Sequence, residues 1–220
     1  MQNCKGQIYA LGVGHNTPVF IDLAEACGFE VVGLYHFQEG RTGEYCCGIQ
    51  IIGSFTDLFS KSDLRGLNFM LTMGANKIRA ELADRILQKG GSLPSLIHPM
   101  AVISRFAEIS PIGVCISPFT YVQADSIVGR NTILLSHVNI SHTTTIGENC
   151  FIAGGSTIGA YTKMENFVFI GQGVLSVSGK VKKIGESAFV GAGSLLIRDV
   201  EAETIVYGRP ANVSEKSKNV

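Results

Sequence analysis

The most constraining feature of this sequence is an apolar residue at every sixth position between Ile116 and Ile170, which resumes at Ile184, Val190 and Leu196. The first run comprises Ile116, Val122, Val128, Leu134, Ile140, Ile146, Ile152, Ile158, Met164 and Ile170. An α-helix repeats every 3.6 residues and an ordinary strand every two, so neither generates this period. A parallel β-helix does, because each six-residue unit supplies one short strand and one corner, and stacked units share a core.

The phase of the repeat separates inward from outward residues and locates its irregularities. The period begins upstream at Ile97 and slips by one residue at Pro111–Gly113. Fourteen residues separate Ile170 from Ile184, where twelve would keep the phase, so we expect a corner loop within Ser176–Lys183 to be pushed outward. The length of the repeat predicts roughly six coils of about eighteen residues.

The segment before the repeat has a different pattern. An apolar run at Gln7–Leu11 is followed by a glycine loop at Gly12–His15, a helical face in Thr17–Cys27 and a second apolar run at Glu30–Tyr35. This order predicts two parallel strands with the loop at the carboxyl end of the first. Asn76–Lys89 has the spacing of an amphipathic helix that ends at a pair of glycines.

The sequence therefore predicts a mainly β protein made of two domains and a tail. Residues 1–94 form a small α/β, Rossmann-like domain, residues 95–211 form a parallel β-helix, and residues 212–220 form a polar, disordered tail.

Composition excludes several classes of partner. Lys plus Arg (18) equals Asp plus Glu (18), so there is no basic field to attract nucleic acid or an anionic membrane. The apolar runs are far shorter than the roughly 20 residues that a membrane span needs, and the N-terminus does not resemble a signal peptide. The six cysteines have no zinc-like spacing. We therefore expect a cytoplasmic protein with reduced thiols, no bound metal and no membrane insertion.

Two histidines stand at outward positions of the repeat. His142 is third in the unit that begins at Ile140, and His137 is fourth in the unit that begins at Leu134. Each is a candidate for chemistry, and the alternative for each is an ordinary exposed histidine.

Several motifs resemble one family. The Ile-Gly pairs of the repeat and the ending VGAGSLLIRDV…VYGRPA (190–211) look like hexapeptide-repeat acyltransferases with a left-handed β-helix. IYALGVGH (8–15), GANKIR (74–79), LIHP (96–99) and NISHTTTIG (139–147) resemble the sugar acetyltransferases of the sialic acid O-acetyltransferase and bacillosamine-type UDP-amino-sugar N-acetyltransferase family. The resemblance covers residue 7 to about residue 211.

The resemblance implies a homotrimer that acetylates an amino or hydroxyl group of a nucleotide-linked sugar in glycan biosynthesis, with acetyl-CoA bound between neighbouring subunits. His142 occupies the position of the family's general base, and an imidazole that titrates near neutrality suits that role. A backbone N–H at Gly159 or Ala160 would stabilise the oxyanion. Gly171, Gly173 and Gly191 would let the pantetheine arm approach the backbone, although glycines at corners are equally expected from the fold alone.

The sugar nucleotide would lie against the first domain. Its phosphates would bind the Gly12–His15 loop at the start of the following helix, although this loop does not match GxGxxG and does not indicate a dinucleotide. The substrate-binding candidates are Gly12, Gly14, His15, Tyr35, Gly74 and Asn76. The family commonly has acidic residues where this chain has Thr143 and Tyr35-His36.

Two alternatives remain open from the sequence. A non-catalytic sugar-nucleotide-binding or assembly homologue would explain Thr143. A zinc carbonic anhydrase of the left-handed β-helix kind would use His137, His142 and a third ligand. The upstream candidate in the repeat, His98, lies thirty-nine residues before His137, which is not a whole number of eighteen-residue coils.

Overall fold

The computed structural model describes residues 5–216 and divides the chain into two compact units, Met1–His98 and Pro99–Val220. Residues 1–4 and 217–220, which include Cys4 and the end of the predicted tail, lie outside the described residues. The left-handed parallel β-helix and the small α/β domain predicted from the sequence are both confirmed.

The first unit contains six strands, three α-helices and a short 3-10 helix at Glu39–Arg41 within the described residues. The strands are β1 (Gly6–Leu11), β2 (Phe29–His36), β3 (Tyr45–Cys46), β4 (Ile49–Ser54), β5 (Asn68–Leu71) and β6 (Leu96–Ile97). The helices are α1 (Thr17–Ala26), α2 (Phe55–Ser60) and α3 (Asn76–Gln88). The first five strands follow the order β3-β4-β2-β1-β5, in which β1 pairs in parallel with both β2 and β5.

Local sequence explains where these helices begin and what they bury. The Ser54 side chain accepts the Asp57 N–H, and Asp57 accepts the Ser54 N–H, which closes a capping box on α2. Helix α3 turns Leu82 and Ile86 into a core that also contains Leu58. Phe59 of α2 lies in the same core, so α2 and α3 pack against the sheet in one cluster.

The second unit is a three-sided β-helix, or prism, built from two-residue strands. Its strands are β7 (Val102–Ile103), β8 (Glu108–Ile109), β9 (Cys115–Ile116), β10 (Tyr121–Val122), β11 (Ile127–Val128), β12 (Ile133–Leu134), β13 (Asn139–Ile140), β14 (Thr145–Ile146), β15 (Phe151–Ile152), β16 (Thr157–Ile158), β17 (Lys163–Met164), β18 (Phe169–Ile170), β19 (Leu175–Ser176), β20 (Lys183–Ile184), β21 (Phe189–Val190), β22 (Leu195–Leu196), β23 (Thr204–Gly208) and β24 (Ala211–Lys216). Every third strand from β7 to β22 belongs to one face, from β8 to β20 to a second, and from β9 to β21 with β23 and β24 to the third.

The parallel register fixes the coil length. Tyr121 pairs with Asn139, and Asn139 pairs with Thr157, so one coil is eighteen residues. All ten periodic residues from Ile116 to Ile170 are at most 1% exposed, which confirms the inward column. The extra residues predicted within Ser176–Lys183 are found there, because Lys183 pairs with Lys163, twenty residues earlier instead of eighteen. Ser176 keeps the core position, and the N–H groups of Lys180 and Val181 both donate to the Val177 carbonyl in the extra turn.

The described chain ends differently from the predicted tail. Strand β24 continues to Lys216 and pairs antiparallel with β23, whereas the sequence predicted a disordered segment after Ala211. The pairing satisfies the backbone of a polar segment that has no apolar pattern of its own. Among residues 5–216, no helix has the length and apolar character needed to cross a bilayer.

Candidate functional site

The first unit has a cleft of about 660 Å³ at the carboxyl ends of its parallel strands. Its lining residues follow β1, β2, β4 and β5, or lie on α3. They are Gly12–Asn16, His36, Phe37, Phe55, Thr72–Gly74, Ile78, Glu81, Leu82 and Arg85. The chain leaves β1 to one side for β2 and returns to its other side for β5, so the cleft lies at a topological switch point, where ligands bind in open α/β sheets.

The glycine loop is shaped to bring backbone to this cleft. Gly12 has φ +97°, and a Cβ on it would lie 2.9 Å from the Thr72 hydroxyl, so only glycine fits there without a shift. The Thr72 hydroxyl donates to the Gly12 carbonyl oxygen over 2.8 Å. The N–H of Gly14 donates to the Thr17 hydroxyl over 2.8 Å and is therefore already engaged. Asn16 makes no side-chain capping bond at α1, but the Thr17 N–H donates to the Gly14 carbonyl over 3.1 Å and Pro18 has no N–H. The first turn of α1 therefore offers an anion fewer N–H groups than an ordinary helix start.

His36 couples the end of β2 to this loop. Its side chain is 3% exposed, Nδ1 accepts the Gln38 N–H over 3.0 Å, and the ring is hydrogen-bonded to the Val13 backbone. Burial, and secondarily the nearby Arg41 guanidinium, lower the pKa of His36 below its ordinary value. A neutral imidazole is therefore part of the cleft wall.

The structure brings together only some of the predicted substrate residues. Gly12, Gly14, His15 and Gly74 line the cleft, whereas Tyr35 and Asn76 do not. Tyr35 lies in the hydrophobic core, where its hydroxyl accepts a bond from Lys61 Nζ over 3.2 Å. Asn76 is 7% exposed, and its Oδ1 accepts a bond from the fully buried Arg79.

The lining residues that the sequence did not single out are spread along the chain. His36 and Phe37 follow β2, Thr72 follows β5, and Glu81 and Arg85 lie on α3. These residues have one feature in common: each lies at the end of a parallel strand, just after one, or on the helix that follows one. That signal becomes usable only once the order of the strands is known.

The second candidate lies on the prism, at the corner that joins β13 to β14. We call this the histidine corner; it consists of His142 and Thr143 and of the residues stacked on them in adjacent coils. His142 is exposed, and its Nδ1 lies 3.2 Å from the Thr143 hydroxyl. The His142 N–H donates to Gln123 Oε1 over 3.3 Å, and the Tyr161 ring meets the imidazole at 90° with centroids 5.1 Å apart. The imidazole is contacted by the Thr143 hydroxyl and the Tyr161 ring and stays exposed, and an exposed imidazole can transfer protons.

His137 lies at a different corner, between β12 and β13, and stacks on Phe119 with centroids 5.0 Å apart. Within residues 5–216, no group of three or more His, Cys, Asp or Glu side chains is arranged to hold a metal ion. His137 precedes strand β13 and His142 follows it, so the two histidines lie at different corners of the prism.

Residues 125–160, which contain both histidines, match the family described as bacterial transferase hexapeptide (six repeats). A crystal structure of PerB from Caulobacter crescentus with CoA and GDP-perosamine covers 98% of this chain and 100% of its own, with a TM-score of 0.87 and 26% identity. The chain is therefore similar to the hexapeptide-repeat transferases. The GDP-perosamine N-acetyltransferase of Escherichia coli O157:H7 is 25% identical over 198 residues, which are 89% of this chain and 88% of that protein.

Other relatives match a smaller part or show the fold alone. An acyl-[acyl-carrier-protein]–UDP-N-acetylglucosamine O-acyltransferase of Nautilia profundicola is 33% identical over 86 residues, so the chain spans only 32% of that relative. WeeI from Acinetobacter baumannii AYE has a TM-score of 0.81 at 20% identity, covers 96% of this chain and shares its fold.

The glycines that were predicted to contact acetyl-CoA fall into two groups. A Cβ on Gly159 would lie 2.6 Å from the Ser176 carbonyl oxygen, one on Gly171 2.5 Å from the Ala192 nitrogen, and one on Gly191 2.9 Å from the Tyr207 Cβ. These three glycines are required by coil stacking. Gly173 has φ +67° and open space around its missing Cβ.

The predicted oxyanion donors are occupied. The Gly159 N–H donates to the Ser176 hydroxyl over 3.2 Å, and the Ala160 N–H donates to the Ser178 hydroxyl over 3.0 Å. Either N–H could serve an oxyanion only after its serine turned away.

Proposed function

We propose that this protein transfers the acetyl group of acetyl-CoA to an amino group of a nucleotide-linked sugar, with His142 as the general base. The observation that carries the proposal is His142 itself: an exposed imidazole at a prism corner, with Nδ1 against the Thr143 hydroxyl and its backbone N–H bonded to Gln123. Two relatives that cover most of the chain, one from Escherichia coli O157:H7 and one from Caulobacter crescentus, are named as N-acetyltransferases of GDP-perosamine or perosamine, which favours an amine over a hydroxyl acceptor.

The chemistry requires one proton acceptor. The sugar nitrogen attacks the thioester carbonyl, a C–N bond forms, and His142 Nε2 takes the proton that the nitrogen must lose. The tetrahedral intermediate then breaks its C–S bond and releases CoA, whose thiolate takes up a proton. Holding the amine and the thioester together supplies much of the remaining acceleration.

The sugar nucleotide is assigned to the cleft of the first unit. The support is the switch-point position and the Gly12–Asn16 backbone that lines the cleft. Phe37 is 66% exposed at the rim and offers a flat apolar surface for a base.

We infer that the enzyme is a homotrimer that binds acetyl-CoA between neighbouring prisms, and that it works in the cytoplasm. The support for assembly is an exposed apolar set in the first coils of the prism. Val102 is 60% exposed, Phe106 57%, Phe119 50% and Tyr121 44%, and apolar surface of this extent is usually covered by a partner. Sedimentation equilibrium tests the assembly, and a monomer would contradict it.

The deciding experiment measures CoA release from acetyl-CoA with a panel of GDP- and UDP-linked amino sugars and their hydroxyl counterparts. We expect turnover with an amino sugar, and His142→Ala should lower kcat by about 10²- to 10⁴-fold. A crystal structure of a relative in which a histidine is replaced by asparagine, in complex with CoA and GDP-perosamine, shows a practical route to a complex. Unchanged turnover in His142→Ala would remove this residue from the mechanism. Stoichiometric zinc in protein purified without added metal would instead support the carbonic anhydrase alternative.

A further inference from the structure

Thr143 occupies a backbone conformation that its residue type disfavours. Its φ is +56°, in the left-handed region. Among the described non-glycine residues with positive φ, it is the only one branched at Cβ; the others are Cys47, Phe119, Asp125, Asn131, His137, Asn149, Tyr161, Phe167, Ser187 and Glu203. Left-handed conformations are rare for branched residues because the side chain crowds the backbone. The fold alone would favour glycine or asparagine here, as at other corners.

The Thr143 side chain makes its contact with the imidazole next to it. The hydroxyl lies 3.2 Å from His142 Nδ1. The backbone on both sides is held by the preceding coil, since the Thr143 N–H donates to the Ala124 carbonyl over 3.0 Å and the His142 N–H donates to Gln123 Oε1. This arrangement turns Nδ1 toward the hydroxyl and leaves Nε2 as the nitrogen that can meet a ligand.

We propose that Thr143 is a positioning residue that accepts the Nδ1–H of His142 and so keeps the Nε2 lone pair free to take the acceptor's proton. This inference rests on the proposed function. A hydroxyl can accept or donate, but a neutral imidazole carries one proton, and a base that acts through Nε2 must carry that proton on Nδ1. A carboxylate commonly accepts the N–H of a functional histidine and fixes its tautomer, and the neutral Thr143 hydroxyl takes that role here. The strained backbone is retained because the hydroxyl is needed there.

Substitution separates this role from a structural one because the two predict opposite changes. Thr143→Gly removes the hydroxyl and relieves the backbone, so the thermal midpoint should rise while kcat falls by about 10-fold or more. KM for both substrates should change little. Thr143→Ser restores the hydroxyl and should recover most of kcat. Ser187→Gly is the matched control: Ser187 has the same φ of +56° at another corner, so this variant should gain stability and keep kcat.

A pH profile and a tautomer measurement complete the test. Thr143→Asp replaces the neutral acceptor with a carboxylate that stabilises the imidazolium, so the acidic limb of the kcat/KM profile should move to higher pH. Long-range ¹H–¹⁵N correlation of the histidine rings should show the proton of His142 on Nδ1 in the unmodified enzyme, and a shift toward Nε2–H in Thr143→Gly.

The outcomes distinguish this inference from the proposed function. If His142→Ala is inactive but Thr143→Gly keeps full kcat, the positioning role is wrong and the acetyltransferase assignment stands. If the ring carries its proton on Nε2 in the unmodified protein, the positioning role is wrong whatever the activity. If no acetyl transfer is found with any acceptor, the proposed function fails, and the tautomer result still reports on the contact between Thr143 and His142.

Discussion

The Asn131 side chain donates a hydrogen bond to the Asn149 side chain over 2.8 Å, and the two residues are one coil apart at the same corner. Both are buried, and both have left-handed backbones, with φ +54° and +58°. Asparagine tolerates this conformation better than most residues, and stacking places the amide of one coil on the oxygen of another. The corner therefore combines a tolerated backbone with a buried polar ladder.

Asn131→Ala should lower the free energy of unfolding by about 2 kcal/mol, because it adds strain at positive φ and leaves the Asn149 oxygen with one partner fewer. Asn131→Gly loses the same hydrogen bond without the strain, so it should cost less than the alanine variant. Chemical denaturation at fixed protein concentration compares the two. Equal losses would mean that backbone conformation contributes nothing at this corner.

Gly171→Ala should destabilise the prism by about 3 kcal/mol, since its Cβ would lie 2.5 Å from a backbone nitrogen of the next coil. Gly173→Ala meets no neighbouring atom and should cost only about 1 kcal/mol for its positive φ. Thermal unfolding measures both. KM for acetyl-CoA in Gly173→Ala then reports whether this open corner contacts the acyl donor, free of a large change in fold.

Gly12→Ala and Gly14→Ala should separate loop shape from ligand contact. Gly12→Ala places a Cβ 2.9 Å from the Thr72 hydroxyl at φ +97°, so it should lower stability by about 1–3 kcal/mol and raise KM for the sugar nucleotide. A Cβ on Gly14 has open space in the protein but projects from a residue that lines the cleft. Gly14→Ala should therefore leave the thermal midpoint unchanged and still weaken nucleotide binding. Unaltered binding in both variants would place the phosphates elsewhere.

Acidification should destabilise the first unit through His36. The folded state lowers the pKa of His36, so the unfolded chain takes up a proton below about pH 6.5 while the folded ring resists it. The stabilisation is therefore complete above that pH and is lost as the pH falls. Urea unfolding at pH 7.5 and at pH 5.5 should show a smaller drop for His36→Asn than for the unmodified protein. Arg41→Gln should give an intermediate drop, because it removes one of the two main causes of the lowered pKa.

The six-residue period predicted the prism because large aliphatic residues repeat without exception. It missed a second inward column four residues further along each unit. Thr120, Ser126, Thr132, Thr144 and Ser156 are fully buried there, and each hydroxyl donates to a carbonyl fifteen residues later over 2.9–3.0 Å. Small polar residues look like surface in a sequence, and only the coil geometry shows that each finds a buried acceptor.

The cleft was predicted in part for a similar reason. Gly12–His15 is marked by glycines that break an apolar run, so it could be found locally. His36 and Arg85 line the same cleft as that loop only because β1 lies between β2 and β5 in the sheet. Tyr35 was assigned to the ligand because it stands where the family commonly has an acidic residue, but alternation along β2 turns its side chain into the core and leaves its carbonyl to accept the Gly12 N–H over 2.9 Å.

The eighteen-residue register spaces equivalent residues of successive coils evenly along the axis of the prism. Neighbouring strands lie about 4.8 Å apart, so residues at one corner are spaced along the axis in steps of that length. His142 and the extra turn near Gly179 are two such steps apart, because Ala160 and Tyr161 occupy the coil between them. Duplicating or deleting one complete coil between them would change the distance between His142 and the turn by one strand spacing, and every residue would stay on its own face of the prism. The distance between His142 and the extra turn can therefore be set by the number of coils between them, while the contacts of His142 stay unchanged.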